Sequence, residues 1–233
     1  MASLLAYPPL VPARMVRRYK RFLAQVEFPD GRREEVHCPN SGRMTGCWAP
    51  GRPVLLTRAA NPARRLRHTL ELVRMPRSWV CVNTLMANRV AREAVRHGLI
   101  PELSGFAFER AEASVGDSRF DLLLTQNSQS CHVEVKSVTL VQSGQARFPD
   151  AVTARGLKHV LELTALARSG RKAALLFLVM RNDARSFAPA SDIDPGFAAA
   201  VAAAQRAGVL ILARHVRIAP RGFSLGEALP VEI

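Results

Sequence analysis

Two stretches of the chain carry residue types suited to phosphodiester chemistry. Arg119-Phe120-Asp121 opens one strand-like run, and after a polar turn comes His132-Val133-Glu134-Val135-Lys136. Glu134 and Lys136 are two apart, so on a strand they share a face while Val133 and Val135 point to a core. Cleaving a phosphodiester calls for a hard divalent cation near the scissile oxygens. Mg2+ or Mn2+ takes carboxylate oxygens and keeps several waters. Asp121 and Glu134 can share one ion, with the Val135 carbonyl as a third ligand. The metal would acidify a bound water and offset charge on phosphorus. Lys136 could orient that water or stabilise the transition state. The bland alternative is a solvated ion pair between Glu134 and Lys136, because an acid-x-Lys triplet arises by chance about once or twice in a chain of this size.

The pairing of the two strands decides between these readings. A symmetric hairpin centred on Ser128 sets Asp121 opposite Val135, on the wrong face. A shift of one residue, or a bulge, brings it beside Glu134 or Lys136. In the helix expected after these strands, Arg155, Lys158, His159 and Glu162 fall at i, i+3, i+4 and i+7, one polar face. That face is either a phosphate-contacting surface or an ordinary solvated one. Glu93, on an earlier helix, could complete the metal site, or be a plain exposed Glu.

The elements that must hold these residues follow from periodicity. Residues 13–28 form a strand-like segment mixing bases with rings, and Pro29-Asp30-Gly31 signals a turn into a strand at Arg33–Cys38. Pro53–Arg58, Arg67–Arg74 and Ser78–Val82 are further short strands. Five such strands suggest a small OB-fold-like barrel over residues 1–82. Its strand face bears Arg17, Arg18, Lys20 and Arg21 among Tyr19, Phe22 and Phe28, a mixture that would suit phosphate contact and base stacking if the rings are not simply core. Residues 83–233 read as helix, three strands, helix, strand, helix, strand: Asn83–His97, Ala107–Ser114, Arg119–Thr125, His132–Val141, Asp150–Arg168, Ala173–Met180, Pro195–Ala207 and Val209–Ile218. This is a mixed α/β (α+β) pattern.

Charge divides along the same line. The chain carries 33 Lys and Arg against 19 Asp and Glu, net +14. Residues 1–82 hold 15 basic and 5 acidic side chains, and residues 83–233 hold 18 and 14. A basic module beside a nearly balanced one points to a polyanion partner. No apolar run reaches the roughly 18–20 residues that span a bilayer, and the proline-broken start does not resemble a signal peptide, so the cytoplasm is the expected location. Cys38, Cys47, Cys81 and Cys131 then read as reduced thiols. A zinc site at His37, Cys38 and Cys47 is a weak alternative, since the gap between the cysteines is wide for a knuckle.

Longer motifs add a resemblance. Cys38-Pro-Asn-Ser-Gly-Arg-Met-Thr-Gly-Cys47, Val82-Asn-Thr84, Glu134-Val-Lys-Ser-Val-Thr139 and Phe148-Pro-Asp-Ala-Val-Thr-Ala-Arg-Gly-Leu-Lys-His159 resemble the bacterial and archaeal sugar fermentation stimulation protein family (SfsA), in order from about Arg14 to the C-terminus. The resemblance implies an N-terminal OB-fold and a C-terminal PD-(D/E)XK nuclease-like domain. It also implies DNA binding of low sequence specificity, to single or double strands, and a regulatory link to sugar metabolism, especially of maltose. The nuclease-like signature falls on Asp121, Glu134 and Lys136, with Glu93 as a fourth acid and Phe120 where the pattern's Pro would stand. In the loop Asn40-Ser41-Gly42-Arg43, backbone amides could hold a phosphate, or Gly42 and Gly46 could simply turn the chain at positive φ. The expected DNA contacts are therefore Arg17, Arg18, Lys20, Arg21, Asn40, Arg43, Arg155 and Lys158. A non-catalytic DNA-binding regulator and an RNA-binding protein are the rival readings. A dimer is one option for its assembly.

Overall fold

A computed structural model describes residues 3–115 and 118–233. The chain begins with a short strand, β1 (Leu5–Ala6), followed by six strands of a barrel: β2 (Leu10–Tyr19), β3 (Leu23–Glu27), β4 (Arg33–His37), β5 (Pro53–Arg58), β6 (His68–Met75) and β7 (Ser78–Cys81). Their order is β4-β3-β2-β5-β6-β7, and a His37–Thr69 bridge between β4 and β6 closes the barrel. The strands alternate, so Ala24 and Val26 of β3 point in with Met15, Val36, Val54, Leu56 and Leu70, while Leu23, Gln25 and Glu27 point out. Alternation of this kind leaves one face for a core and one for charge.

The segment 13–28 is two strands rather than one. The chain reverses after β2 with Lys20 and Arg21 both at positive φ, 47° and 57°. No Gly, Pro or Asn marks that turn, so the sequence pattern runs straight through it. The rings also separate. Phe28 is core and Tyr19 donates its hydroxyl to Glu35, whereas Phe22 is 48% exposed at the hairpin tip.

The remaining chain runs α1 (Leu85–Arg96), β8 (Ala107–Val115), β9 (Ser118–Gln126), β10 (Gln129–Val138), β11 (Leu140–Gln142), β12 (Gln145–Phe148), α2 (Ala154–Arg168), β13 (Lys172–Val179), β14 (Ser186–Pro189), α3 (Pro195–Arg206), β15 (Leu210–Ala219) and β16 (Gly222–Ala228). Seven strands form one sheet, β1-β16-β15-β13-β10-β9-β8, in which β10, β13 and β15 are parallel. β13 is central and buried on both faces, as its unbroken apolar run requires. Ala174, Leu176 and Leu178 pack on the α1 side, and Ala173, Leu175, Phe177 and Val179 on the α2 and α3 side. A three-stranded sheet, β11-β12-β14, sits beside it.

Several features differ from the sequence pattern. Strands β12, β14 and β16 have no counterpart in it, and the run His132–Val141 breaks into β10 and β11. Helix α2 begins at Ala154, because Thr153 caps it by accepting the Gly156 amide at 3.1 Å. And β1, though it precedes the barrel in sequence, pairs with β16 of the second sheet. The first residues of 1–82 therefore belong structurally to the other domain. The strap lies so close that a Cβ on Gly222 would fall 2.3 Å from the Leu5 carbonyl oxygen.

Candidate metal centre and nucleic-acid interface

The β9–β10 hairpin turns on two residues, Asn127 and Ser128, with Asn127 at φ 53°. Pairs run from Gln126–Gln129 to Leu122–Val133. This is the one-residue shift, and its continuation sets Asp121 level with Glu134. The ladder ends at Leu122–Val133 and the strands part. Asp121 enters the fork: Oδ2 accepts the Val135 amide at 2.8 Å and Oδ1 accepts Asn88 Nδ2 from α1 at 2.5 Å. Across from it on β8, Glu112 takes a positive φ of 55°. The alternation of β9 breaks at this point, since Leu122 packs on the α1 side and Phe120 on the α2 side. Asp121 is thus tied to α1 through Asn88 and to β10 through the Val135 amide, whereas Glu134 reaches α2 through His159.

Glu134 is 3% exposed. Burying a carboxylate costs several kcal/mol unless it is partnered. Here Oε1 accepts Lys136 Nζ at 2.6 Å and also His159 Nδ1 from α2. The second oxygen, Oε2, is buried without a hydrogen-bond partner among the described residues. The two carboxyls are driven apart in acidity. Burial raises Asp121 to about 6, with the Glu134 charge adding to the rise. Burial also pushes Glu134 upward, but the His159 hydrogen bond and the Lys136 charge outweigh it and leave the group below its ordinary value. Phe120 fixes the imidazole from the side, with its ring 6.2 Å from His159 and edge-on.

His159 was therefore misplaced by helical spacing. It does not share the solvent face of Arg155 and Lys158 but turns inward, 6% exposed. Its position at i+4 from Arg155 carried no sign of which side packs on the sheet. Arg155 and Lys158 are exposed, and Lys158 lies 3.8 Å from Glu162. Glu93 is also not where a fourth acid is needed. It pairs with Arg92 and Arg96 at 3.1 and 3.5 Å, and the residue that α1 brings to Asp121 is Asn88. Among the described residues no three His, Cys, Asp or Glu side chains gather as a metal cage. The donor set that fits a divalent ion is smaller: two carboxylates, one of them with a buried oxygen that lacks a partner. Hard cations accept such oxygens and complete their shell with water.

The Cys38–Cys47 loop joins barrel to sheet. Asn40 donates to the Val82 carbonyl at 3.1 Å and accepts the Gly42 amide at 2.9 Å. Met44 N donates to Asp150 Oδ2 at 2.8 Å, and Cys47 Sγ to the Thr139 carbonyl at 3.3 Å. Arg18 donates to the carbonyls of Asn40 and Gly42, both at 2.8 Å. The Gly42 and Met44 amides are consumed within the protein, so the loop clamps barrel to sheet and these two amides are not open to a phosphate. Gly46 does take positive φ, 69°, whereas Gly42 is required for another reason. A Cβ there would lie 2.6 Å from the Asp150 carboxylate. Asn40 and the two terminal nitrogens of Arg18 are used in this clamp, and Cys38 and Cys47 point to different partners, Met44 Sδ and Thr139 O. Arg17, Lys20, Arg21 and Arg43 remain exposed. The Phe22 carbonyl accepts the Cys38 amide at 2.8 Å, which seats the basic hairpin tip against the start of the clamp.

The fold and site together define a class: an OB barrel joined to a mixed α/β domain that carries an acid, acid-x-Lys arrangement at a strand fork. Residues 16–82 match the SfsA N-terminal OB domain, and residues 85–222 match the sugar fermentation stimulation protein RE domain. The chain belongs to the sugar fermentation stimulation protein family. It is 45% identical to the sugar fermentation stimulation protein homolog of Geotalea uraniireducens, covering 97% of this chain and 98% of that one. Against the homolog of Pelobacter propionicus it is 47% identical, covering 96% and 98%. The solved structure of Pyrococcus furiosus SfsA in complex with Ca2+ superposes with a TM-score of 0.93 over the whole of both chains, at 29% identity. No helix is long and apolar enough to cross a membrane among the described residues.

Proposed function

We propose that this protein binds DNA with low sequence specificity and hydrolyses phosphodiesters at a divalent-metal centre built on Asp121 and Glu134. The observation that carries the reading is Glu134 Oε2, a buried and unpartnered carboxylate oxygen beside the Asp121 fork. The Ca2+ complex of the Pyrococcus furiosus relative supports a divalent ion in this fold. When bound, Mg2+ or Mn2+ supplies Lewis-acid stabilisation and a more acidic water.

The chain's own groups do the rest. His159 and Lys136 hold one oxygen of Glu134 and leave the other free. Asn88 and the Val135 amide fix the Asp121 carboxylate. Lys136 is the cation nearest the acids and would turn from Glu134 to a phosphoryl oxygen as charge develops there. Exposed Lys20, Arg21 and Arg43 on the barrel, with Arg155 on α2, would hold flanking phosphates, giving salt-sensitive affinity. A regulatory role in sugar metabolism enters through the family's name and is compatible with such binding.

The Lys136–Glu134 ion pair at 2.6 Å favours a second reading, a DNA-binding regulator that keeps only the fold. Supercoiled plasmid with Mg2+ or Mn2+ separates the two. The catalytic reading expects slow nicking that Glu134→Gln abolishes while DNA affinity persists. Binding without cleavage of any DNA form in either metal leaves the regulator. Competition with matched RNA strands checks the choice of polymer.

A further inference from the structure

A cavity of about 200 Å³ opens where barrel and sheet meet. It is lined by Ser41, Gly42, Thr84, Ser137, Asp150 and Val152, among others. The Ser137 hydroxyl is buried without a partner. Asp150 uses one carboxylate oxygen to accept the Met44 amide and retains acceptor capacity on the other. Arg147, the cation of the lining, is already paired with Asp192 at 3.1 Å. A wall of hydroxyls with one carboxylate and no free cation does not suit a bare phosphate. It suits a group that presents both N–H donors and acceptors along one edge.

Val152, in the lining, is 75% exposed, and Leu85, which follows the lining residue Thr84 at the start of α1, is 64% exposed. These are the two most exposed large hydrophobic side chains described in the protein, and no packing within the chain accounts for them. Ser137 is three residues beyond Glu134 on β10, about 10 Å along the strand, and by the alternation of side chains it faces the α1 side of the sheet, the side from which Asn88 holds Asp121. The volume falls below the ~300–1,000 Å³ of pockets for drug-sized molecules, so the occupant is a single ring system.

From this geometry we infer that the cavity receives one unstacked nucleobase of the DNA strand lying across the metal centre, with Val152 and Leu85 taking its place against the neighbouring bases. The inference rests on the DNA-binding reading above. The hydroxyl of Ser137 and the carboxylate of Asp150 would meet the polar edge of the base, and the exposed Val152 and Leu85 would cover the face of the stack. Extrahelical capture costs least at a mismatch, gap or single-stranded end, so such sites are the preferred substrates.

The test uses full-length protein and duplexes carrying 2-aminopurine at successive positions, with Ca2+ in place of Mg2+. Fluorescence anisotropy reports binding, and 2-aminopurine emission reports unstacking. The expected result is a rise in emission at one position, lost in Val152→Ala and in Ser137→Leu while anisotropy still shows binding. Val152 is exposed, so its variant keeps the test valid if Ser137→Leu fails to fold. Binding by anisotropy with flat emission at every position overturns the inference and spares the DNA reading. No anisotropy change with any DNA overturns both. Equally tight capture of free 2-aminopurine deoxyribonucleotide would overturn the claim that a strand is the source.

Discussion

The charges of the barrel and those of the sheet domain are held in opposite ways. On the barrel, Arg17, Lys20, Arg21 and Arg43 stand in solvent. In the second domain, Asp121 is held by Asn88 and the Val135 amide, and Glu134 by Lys136 and His159, with Glu134 almost fully buried. Exposed cations are screened and interchangeable, and suit a polyanion read without regard to sequence. Buried charges cannot be exchanged without leaving a partner stranded, so each has one geometry and one task. Under the proposed function, the difference would give affinity to the first region and chemistry to the second.

The contrast breaks most sharply at His159. It is a positioning residue, acting through Glu134, and His159→Gln is expected to weaken divalent-ion affinity by roughly 10–100-fold, read by Mn2+ titration, while DNA affinity stays level. A fall in DNA affinity with metal affinity unchanged would put His159 in the wrong region. Next in size, Lys20→Ala with Arg21→Ala should weaken DNA binding across all sequences. It should also flatten the salt dependence by roughly 0.9 per lost phosphate contact. Cleavage at saturating DNA should not change. The smallest functional effect is expected at the join. Gly42→Ala presses on the Asp150 carboxylate and should cost about 1–3 kcal/mol, a melting-temperature drop of roughly 2–4 °C per kcal/mol, with cleavage by the folded fraction intact.

Much of this division was legible in the sequence. The barrel strand Pro53–Arg58 appears with those bounds, and the core strand follows from its apolar run. The types and spacing of Asp121, Glu134 and Lys136 pointed to the fork because period 2 fixes which residues share a face. What spacing could not supply was register. Whether the hairpin turned on two residues or three depended on Asn127 adopting positive φ, a local choice that moves Asp121 from Val135 to Glu134. The same blindness hid the reversal at Lys20–Arg21 and the strap at Leu5–Ala6, whose partner is more than 200 residues away. Helical period placed His159 beside Arg155 and Lys158 but carried no information on which side met the sheet. Glu93 has the right chemistry, one turn and more past Asn88, and faces Arg92 and Arg96 instead.

Anomalous scattering from a crystal soaked in Mn2+ addresses the acidic fork itself. One peak within coordination distance of both Glu134 Oε2 and an Asp121 oxygen, absent from Glu134→Gln crystals, is the outcome this arrangement requires. A soaked crystal with Lys136 still locked on Glu134 and no peak between the two carboxylates would leave a basic DNA binder without hydrolytic machinery.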